Sequence, residues 1–212
     1  MRQSHDQSHS ASMHPMTPDE ALELLKKGNR QYFEGNPAPP HLTGHERRAA
    51  LAQDQQPFCV LVGCSDSRVP PELLFGRGLG ELFIVRNAGN VVDLAAMGSI
   101  EYGVAILGAP LVVVLGHERC GAVQAAVNVV ENDAVYPGSI GQMIEPIIPA
   151  VLRARREGAA DLLDRSVRAN VLRIVERLRT TEQMLIGPQR EGKLKIVGAR
   201  YDLDDGNVDF FE

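Results

Sequence analysis

The sequence predicts an α/β fold: a mainly parallel central β-sheet flanked by helices. Three observations carry that reading. Four short apolar runs lack polar alternation, namely FCVLVG from Phe58, LFIVRN at 82–87, LVVVLG at 111–116 and LKIVG at 194–198. Such runs are what strands covered on both faces show. Helical patterns sit between them, and strands alternating with helices form parallel sheets through right-handed crossovers. Finally, 212 residues with 44% hydrophobic and 23% charged types supply a substantial core for one domain.

The elements follow in chain order. Residues 1–16 are polar and carry His5, His9 and His14, which reads as a solvated, disordered tail rather than a metal site. Thr17-Pro18-Asp19-Glu20 then provides a capping threonine, a proline at the first helical position and a glutamate at the third. Ala21, Leu22, Leu24 and Leu25 continue this N-terminal helical arm, with Gly28 as its expected stop. The arm either packs on its own domain or docks on a partner chain. Residues 35–45 read as a loop in which His41 and His45 are exposed polar residues. The apolar stretch from Met97 to Gly116 is interrupted by Glu101 and Pro110, so it reads as helix, turn and buried strand rather than a membrane span. Asp164 to Ile186 is expected as one helix, with Val167, Val171, Ile174, Val175 and Leu178 on one stripe. Asp204-Asp205-Gly206-Asn207 is a turn between the last strands. The expected organisation is a single domain over 17–212.

Composition excludes several classes. A net charge of −5 argues against nucleic acid or anionic lipid as partner. The opening MRQSHDQSHS has no apolar core of a secretory signal, so the cytoplasm is the default location. Three cysteines cannot form a fully paired framework, which turns attention to metal or thiol chemistry.

Two strand ends carry metal-binding residue types. The first run delivers Cys64; the third delivers His117, followed by Cys120. Ligands of α/β sheets collect at the carboxyl ends of strands, so parallel neighbours would bring these residues together across 53 positions. Two thiolates and one imidazole suit Zn²⁺ with a fourth position left for water or substrate. A Cys64–Cys120 disulfide is the rival within the same geometry. Cys59 lies at the start of its strand and reads as a buried hydrophobe. Asp66 is the nearby oxygen ligand that could close the site. Asp66 and Arg68 in CSDSR shape the turn as an ion pair, and Arg68 can also hold the Asp66 carboxylate by paired hydrogen bonds, leaving an oxygen to accept a proton.

Cys64-Ser65-Asp66-Ser67-Arg68 together with His117-Glu118-Arg119-Cys120-Gly121 resembles the paired signatures of the β-class carbonic anhydrases. The similarity extends through VRNAGN at 85–90 and SIEYG at 99–103 to the final strand. The resemblance implies one zinc ion per chain on Cys64, His117 and Cys120, with Asp66 and Arg68 as catalytic dyad. It implies reversible hydration of carbon dioxide to bicarbonate and a proton by a zinc-bound hydroxide. It also implies a homodimer or homotetramer whose substrate pockets form where two chains meet. Leu61 stands where one branch of the family has tryptophan. Gln55, Phe83 and Tyr102 match the other branch, whose pocket they line and whose site is open at rest. A noncatalytic zinc module and a related hydrolase of carbon disulfide are the alternatives. A nucleotide-binding protein is disfavoured, since no glycine-rich phosphate loop follows a predicted strand.

Overall fold

The computed structural model describes residues 16–36 and 43–211. The expected tail through residue 15, with His5, His9 and His14, lies outside the described residues, as does His41. The five strands are β1 (Cys59–Cys64), β2 (Leu82–Asn87), β3 (Leu111–His117), β4 (Lys195–Tyr201) and β5 (Val208–Phe211). They form one sheet in the order β2-β1-β3-β4-β5. The first four strands are parallel, and β5 returns antiparallel to β4 after the turn expected at Asp204–Asn207. All four apolar runs are therefore strands. β1 and β3 hold the centre and are buried at every position, whereas the edge strand β2 is mostly half-buried.

Side chains alternate along each strand, and that period of two divides the apolar residues into two cores. On one face Val60, Val62, Val112, Val114 and Ile196 meet Met97 and Ile100 of α4 (Leu94–Ala105) and the stripe of α8 (Leu162–Thr180). On the other face Cys59, Leu61, Leu111, Val113 and Leu115 meet Ala21, Leu22 and Leu25 of α1 (Pro18–Phe33). Cys59 is thus a core residue, and burial pushes its thiol well above the ordinary range.

The start of α1 is the predicted one. Thr17 Oγ1 accepts from Glu20 N at 3.3 Å, and the Glu20 carboxylate accepts from Thr17 N at 2.8 Å. Its end is not. The helix runs through Gly28 to Phe33, and a Cβ at position 28 would stand 1.8 Å from the Phe75 carbonyl oxygen. Glycine is required there by a close approach, at the end of α3 (Pro71–Leu74), and not by a helix stop. Buried Asn29 locks the arm to its own chain, donating to Leu74 O and Gly206 O and accepting from Val208 N.

The long helix expected to Ile186 is divided: α8 ends at Thr180 and α9 (Gln183–Arg190) follows. The Thr180 and Thr181 hydroxyls donate back to Glu176 O at 2.7 Å and Arg177 O at 2.8 Å, and Glu182 is extended. The bend lets Leu185 enter the core beside α4. His45 opens a short exposed helix, α2 (His45–Ala50). After β3, α5 (Gly121–Asn132), α6 (Ser139–Ile144) and α7 (Ile148–Arg156) complete the helices. Met97–Gly116 is helix, turn and strand as expected, and no helix among the described residues is long and apolar enough to cross a membrane.

Candidate metal centre

Register brings the site together. β1 and β3 pair from Cys59↔Leu111 to Gly63↔Leu115, so the strands end side by side at Cys64 and His117. Beyond His117 the chain turns through Arg119, whose φ of 49° is left-handed, and reaches Cys120 at the N-cap of α5. One ligand-type atom from each of Cys64, His117 and Cys120 lies within 4.8 Å of the other two. All three residues are buried, and both cysteines are free thiols rather than the rival disulfide.

The donor set fits a zinc ion on an observation independent of spacing. His117 Nδ1 lies 2.8 Å from Glu118 O, which places the ring proton on Nδ1 and leaves the Nε2 lone pair facing the cluster. That Nε2 is fully buried and has no hydrogen-bond partner among the described residues. A buried acceptor without a donor is costly, and a cation between two sulfurs answers it. The sulfurs also differ from each other. Hydrogen bonding from Cys120 and from Gly89 N pulls Cys64 below the usual thiol range, while the same contact and burial push Cys120 up.

Beside the cluster, Arg68 grips Asp66 with two parallel bonds, Nε to Oδ1 at 3.0 Å and Nη2 to Oδ2 at 2.7 Å. The Arg68 guanidinium holds this carboxyl below the usual carboxylate range, so it is ionised at neutral pH. Asp66 Oδ2 is 3.8 Å from His117 Nε2. Both expected features, the turn-shaping pair and the paired hydrogen bonds, occur in one arrangement.

Three residues that sequence reasoning did not single out hold this corner. Arg86 donates to Cys64 O and to Asp66 O, both at 2.8 Å, and so fixes the backbone on either side of Ser65. Gly89 N donates to Cys64 Sγ at 3.3 Å. Asn170 Nδ2 donates to Gly89 O at 3.2 Å. Arg86 and Gly89 fall within the VRNAGN segment, and Asn170 is a polar residue on the buried face of α8. Those were the available signals.

The other three site candidates stand apart. Phe83 and Tyr102 are neighbours, with ring centroids 6.0 Å apart, and Gln55 and Tyr102 line one cleft with Leu51, Leu79 and Leu107. Phe83 pairs with Val60, whereas Cys64 pairs with Asn87, four residues further along β2. At about 3.3 Å per residue that is some 13 Å. Within one chain, the structure does not bring Gln55, Phe83 and Tyr102 to the Cys–His–Cys cluster.

The carbonic anhydrase sequence family matches residues 59–208. The chain belongs to the β-carbonic anhydrase family. Carbonic anhydrase 2 of Mycobacterium tuberculosis is 42% identical over 195 residues, covering 90% of this chain and 91% of that protein. A carbonic anhydrase of Mycolicibacterium smegmatis is 41% identical over 192 residues, covering 91% and 92%. Among solved structures, a tetrameric β-carbonic anhydrase of Sordaria macrospora superposes with a TM-score of 0.68 at 26% identity, covering 77% of this chain and 84% of that one. Members of the family catalyse the hydration of carbon dioxide.

Proposed function

We propose that this chain catalyses the family's reversible hydration of carbon dioxide to bicarbonate and a proton, with Cys64, His117 and Cys120 holding one zinc ion and Asp66 and Arg68 acting beside it. The single observation that carries the reading is the buried, unpartnered His117 Nε2 facing two free thiols beside an ionised Asp66. When bound, zinc supplies a Lewis acid that makes a water-derived nucleophile available near neutral pH. The remaining work belongs to the chain. The Glu118 carbonyl fixes the His117 tautomer, and Asp66 accepts a hydrogen bond from the attacking oxygen and so orients it. Arg68 keeps Asp66 ionised and, with one side-chain bond to each carboxylate oxygen, fixes its orientation while Oδ2 keeps a lone pair free to accept.

Gln55, Phe83 and Tyr102 serve the substrate pocket across a subunit boundary, in a homodimer or homotetramer. β2 is a sheet edge, and the Tyr102 side chain is half exposed, so both can face a second copy. The likeness to a tetrameric relative favours the same reading. Residues 17–212 act as one zinc-enzyme domain, and the reduced thiols suit the cytoplasm. Metal analysis coupled to a stopped-flow carbon dioxide hydration assay tests this. About one zinc per chain with chelator-sensitive hydration supports the proposal; a metal-free, inert protein overturns it.

A further inference from the structure

We infer that Asn170 is a positioning residue of the metal centre: from α8 it holds Gly89 so that the Gly89 N–H donates to the Cys64 sulfur. The inference rests on the zinc reading above and goes beyond it, because neither Asn170 nor Gly89 is a ligand.

Two hydrogen bonds in series make the connection, Asn170 Nδ2 to Gly89 O at 3.2 Å and Gly89 N to Cys64 Sγ at 3.3 Å. Gly89 has a φ of 74°, and a Cβ there would stand 2.8 Å from Ile147 Cδ1 and 2.9 Å from Ala122 Cβ. The turn is therefore pressed against neighbouring side chains, and the bond from Asn170 adds a directional restraint on the peptide that carries the N–H. Asn170 is 1% exposed, on the face of α8 that carries Val167, Val171 and Ile174. A polar side chain in such a stripe is costly unless it is bonded, and this one is bonded to a residue that touches the site. The anchor is rigid, because α8 is a 19-residue helix packed on the sheet. An N–H aimed at a thiolate ligand withdraws negative charge from the sulfur, and outer partners of this kind tune metal affinity.

Ser166 supplies an internal control. It lies one turn earlier on α8, is fully buried, and donates to Leu162 O at 2.6 Å within its own helix, with no link to Gly89.

The test uses the full-length zinc protein and its cobalt-substituted form. Asn170→Leu keeps the number and branching of the side-chain heavy atoms, at a larger volume, and removes the donor; Ser166→Ala removes a buried hydrogen bond of similar kind. The expected result is at least about tenfold weaker zinc binding in Asn170→Leu by chelator competition. A shift of its sulfur-to-cobalt charge-transfer band to longer wavelength should accompany that loss, with Ser166→Ala unchanged in both. Wild-type affinity and band in Asn170→Leu overturn the inference, and so do equal losses in both variants, which indicate general loosening of α8. Should Asn170→Leu not fold, Asn170→Ala loaded with ¹¹³Cd decides: a through-bond coupling between the metal and the Gly89 amide proton that is weaker than in the wild type supports the inference, and a coupling of wild-type size overturns it. A wild-type protein that binds no zinc defeats the metal reading itself, which separates the two failures.

Discussion

The two ends of the metal centre are held by different physics. At the Cys64 end the restraints run to backbone: Arg86 to Cys64 O and Asp66 O, Gly89 N to the sulfur, and Asn170 to Gly89 O. At the His117–Cys120 end they run between charges. Arg119 meets Asp204 at 2.6 Å, and Arg200 meets Asp164 at 2.5 Å and Asp202 at 2.9 Å. Glu118 accepts from Leu203 N at 3.2 Å, which ties the segment between the two ligands to the end of β4. Glu118, Asp202 and Asp204 form a second group with metal-ligand spacing, but Arg119 and Arg200 already neutralise it. Bonds to backbone thus hold Cys64 itself, with the Arg68–Asp66 pair beside it, while ion pairs, exposed at Arg119–Asp204 and partly buried at Arg200, hold the second end.

Substitutions can break that contrast, and the largest effect is expected from Cys64→Ser. Loss of one of three ligands should leave almost no bound zinc and no hydration above background, read by metal analysis and stopped flow. If the variant keeps its zinc and its rate, Cys64 is not a ligand. Gly89→Ala comes next. The left-handed backbone and the contacts with Ile147 and Ala122 should cost about 2–4 kcal/mol together, or roughly 5–15 °C in thermal midpoint. An unchanged midpoint would show that the turn has room to move.

Arg86→Met and Arg200→Met compare the two ends directly. Arg86→Met strips hydrogen bonds from two carbonyls and should cost about 2 kcal/mol, nearly the same at about 0.05 M and about 1 M salt. Arg200→Met leaves Asp202 without its cation and Asp164 with Arg168 alone, 3.4 Å away. Because these carboxylates are partly hydrated, the expected cost is about 1–2 kcal/mol at low salt, shrinking as salt is added. Equal salt dependence in the two melts would show that the two ends are held by the same kind of interaction.

The smallest effect concerns acid. Hydrogen bonding to Arg200 lowers the Asp202 carboxyl below its ordinary 3.8. A carboxyl depressed in the folded state contributes stability that is complete above its unfolded pKa and lost as pH falls through the folded one. The stability difference between the wild type and Asp202→Asn should therefore close below about pH 4. A difference that persists into strong acid would mean the interaction is not ionic.

Much of this was legible because it is local or periodic. The cap at Thr17, the four apolar strands and the buried stripe of α8 each depend on near neighbours along the chain or on a repeat of two or 3.6 residues. The Cys64, His117 and Cys120 cluster was legible for a related reason: parallel strands have their carboxyl ends at one edge, so two strand-end motifs imply a meeting. Other features depended on contacts with remote parts of the chain. Gly28 looks like a stop until Phe75 O arrives beside it, and the bend after Thr180 is accompanied by burial of Leu185 in the core beside α4. Gln55, Phe83 and Tyr102 fit a motif but not a place within one chain.

The sequence alone determined the sheet, its two-sided burial and the identity of the three candidate ligands, because side-chain alternation and strand-end placement follow from covalent order. Only the tertiary structure decided which groups aim those ligands. The Glu118 carbonyl on His117, Arg86 on the Cys64 backbone and Asn170 on Gly89 are hydrogen bonds of fixed direction, and apart from the Glu118 contact their partners are 20 to 81 residues apart. A hydrogen bond depends on distances and angles finer than one strand spacing, and those exist only once the chain has packed.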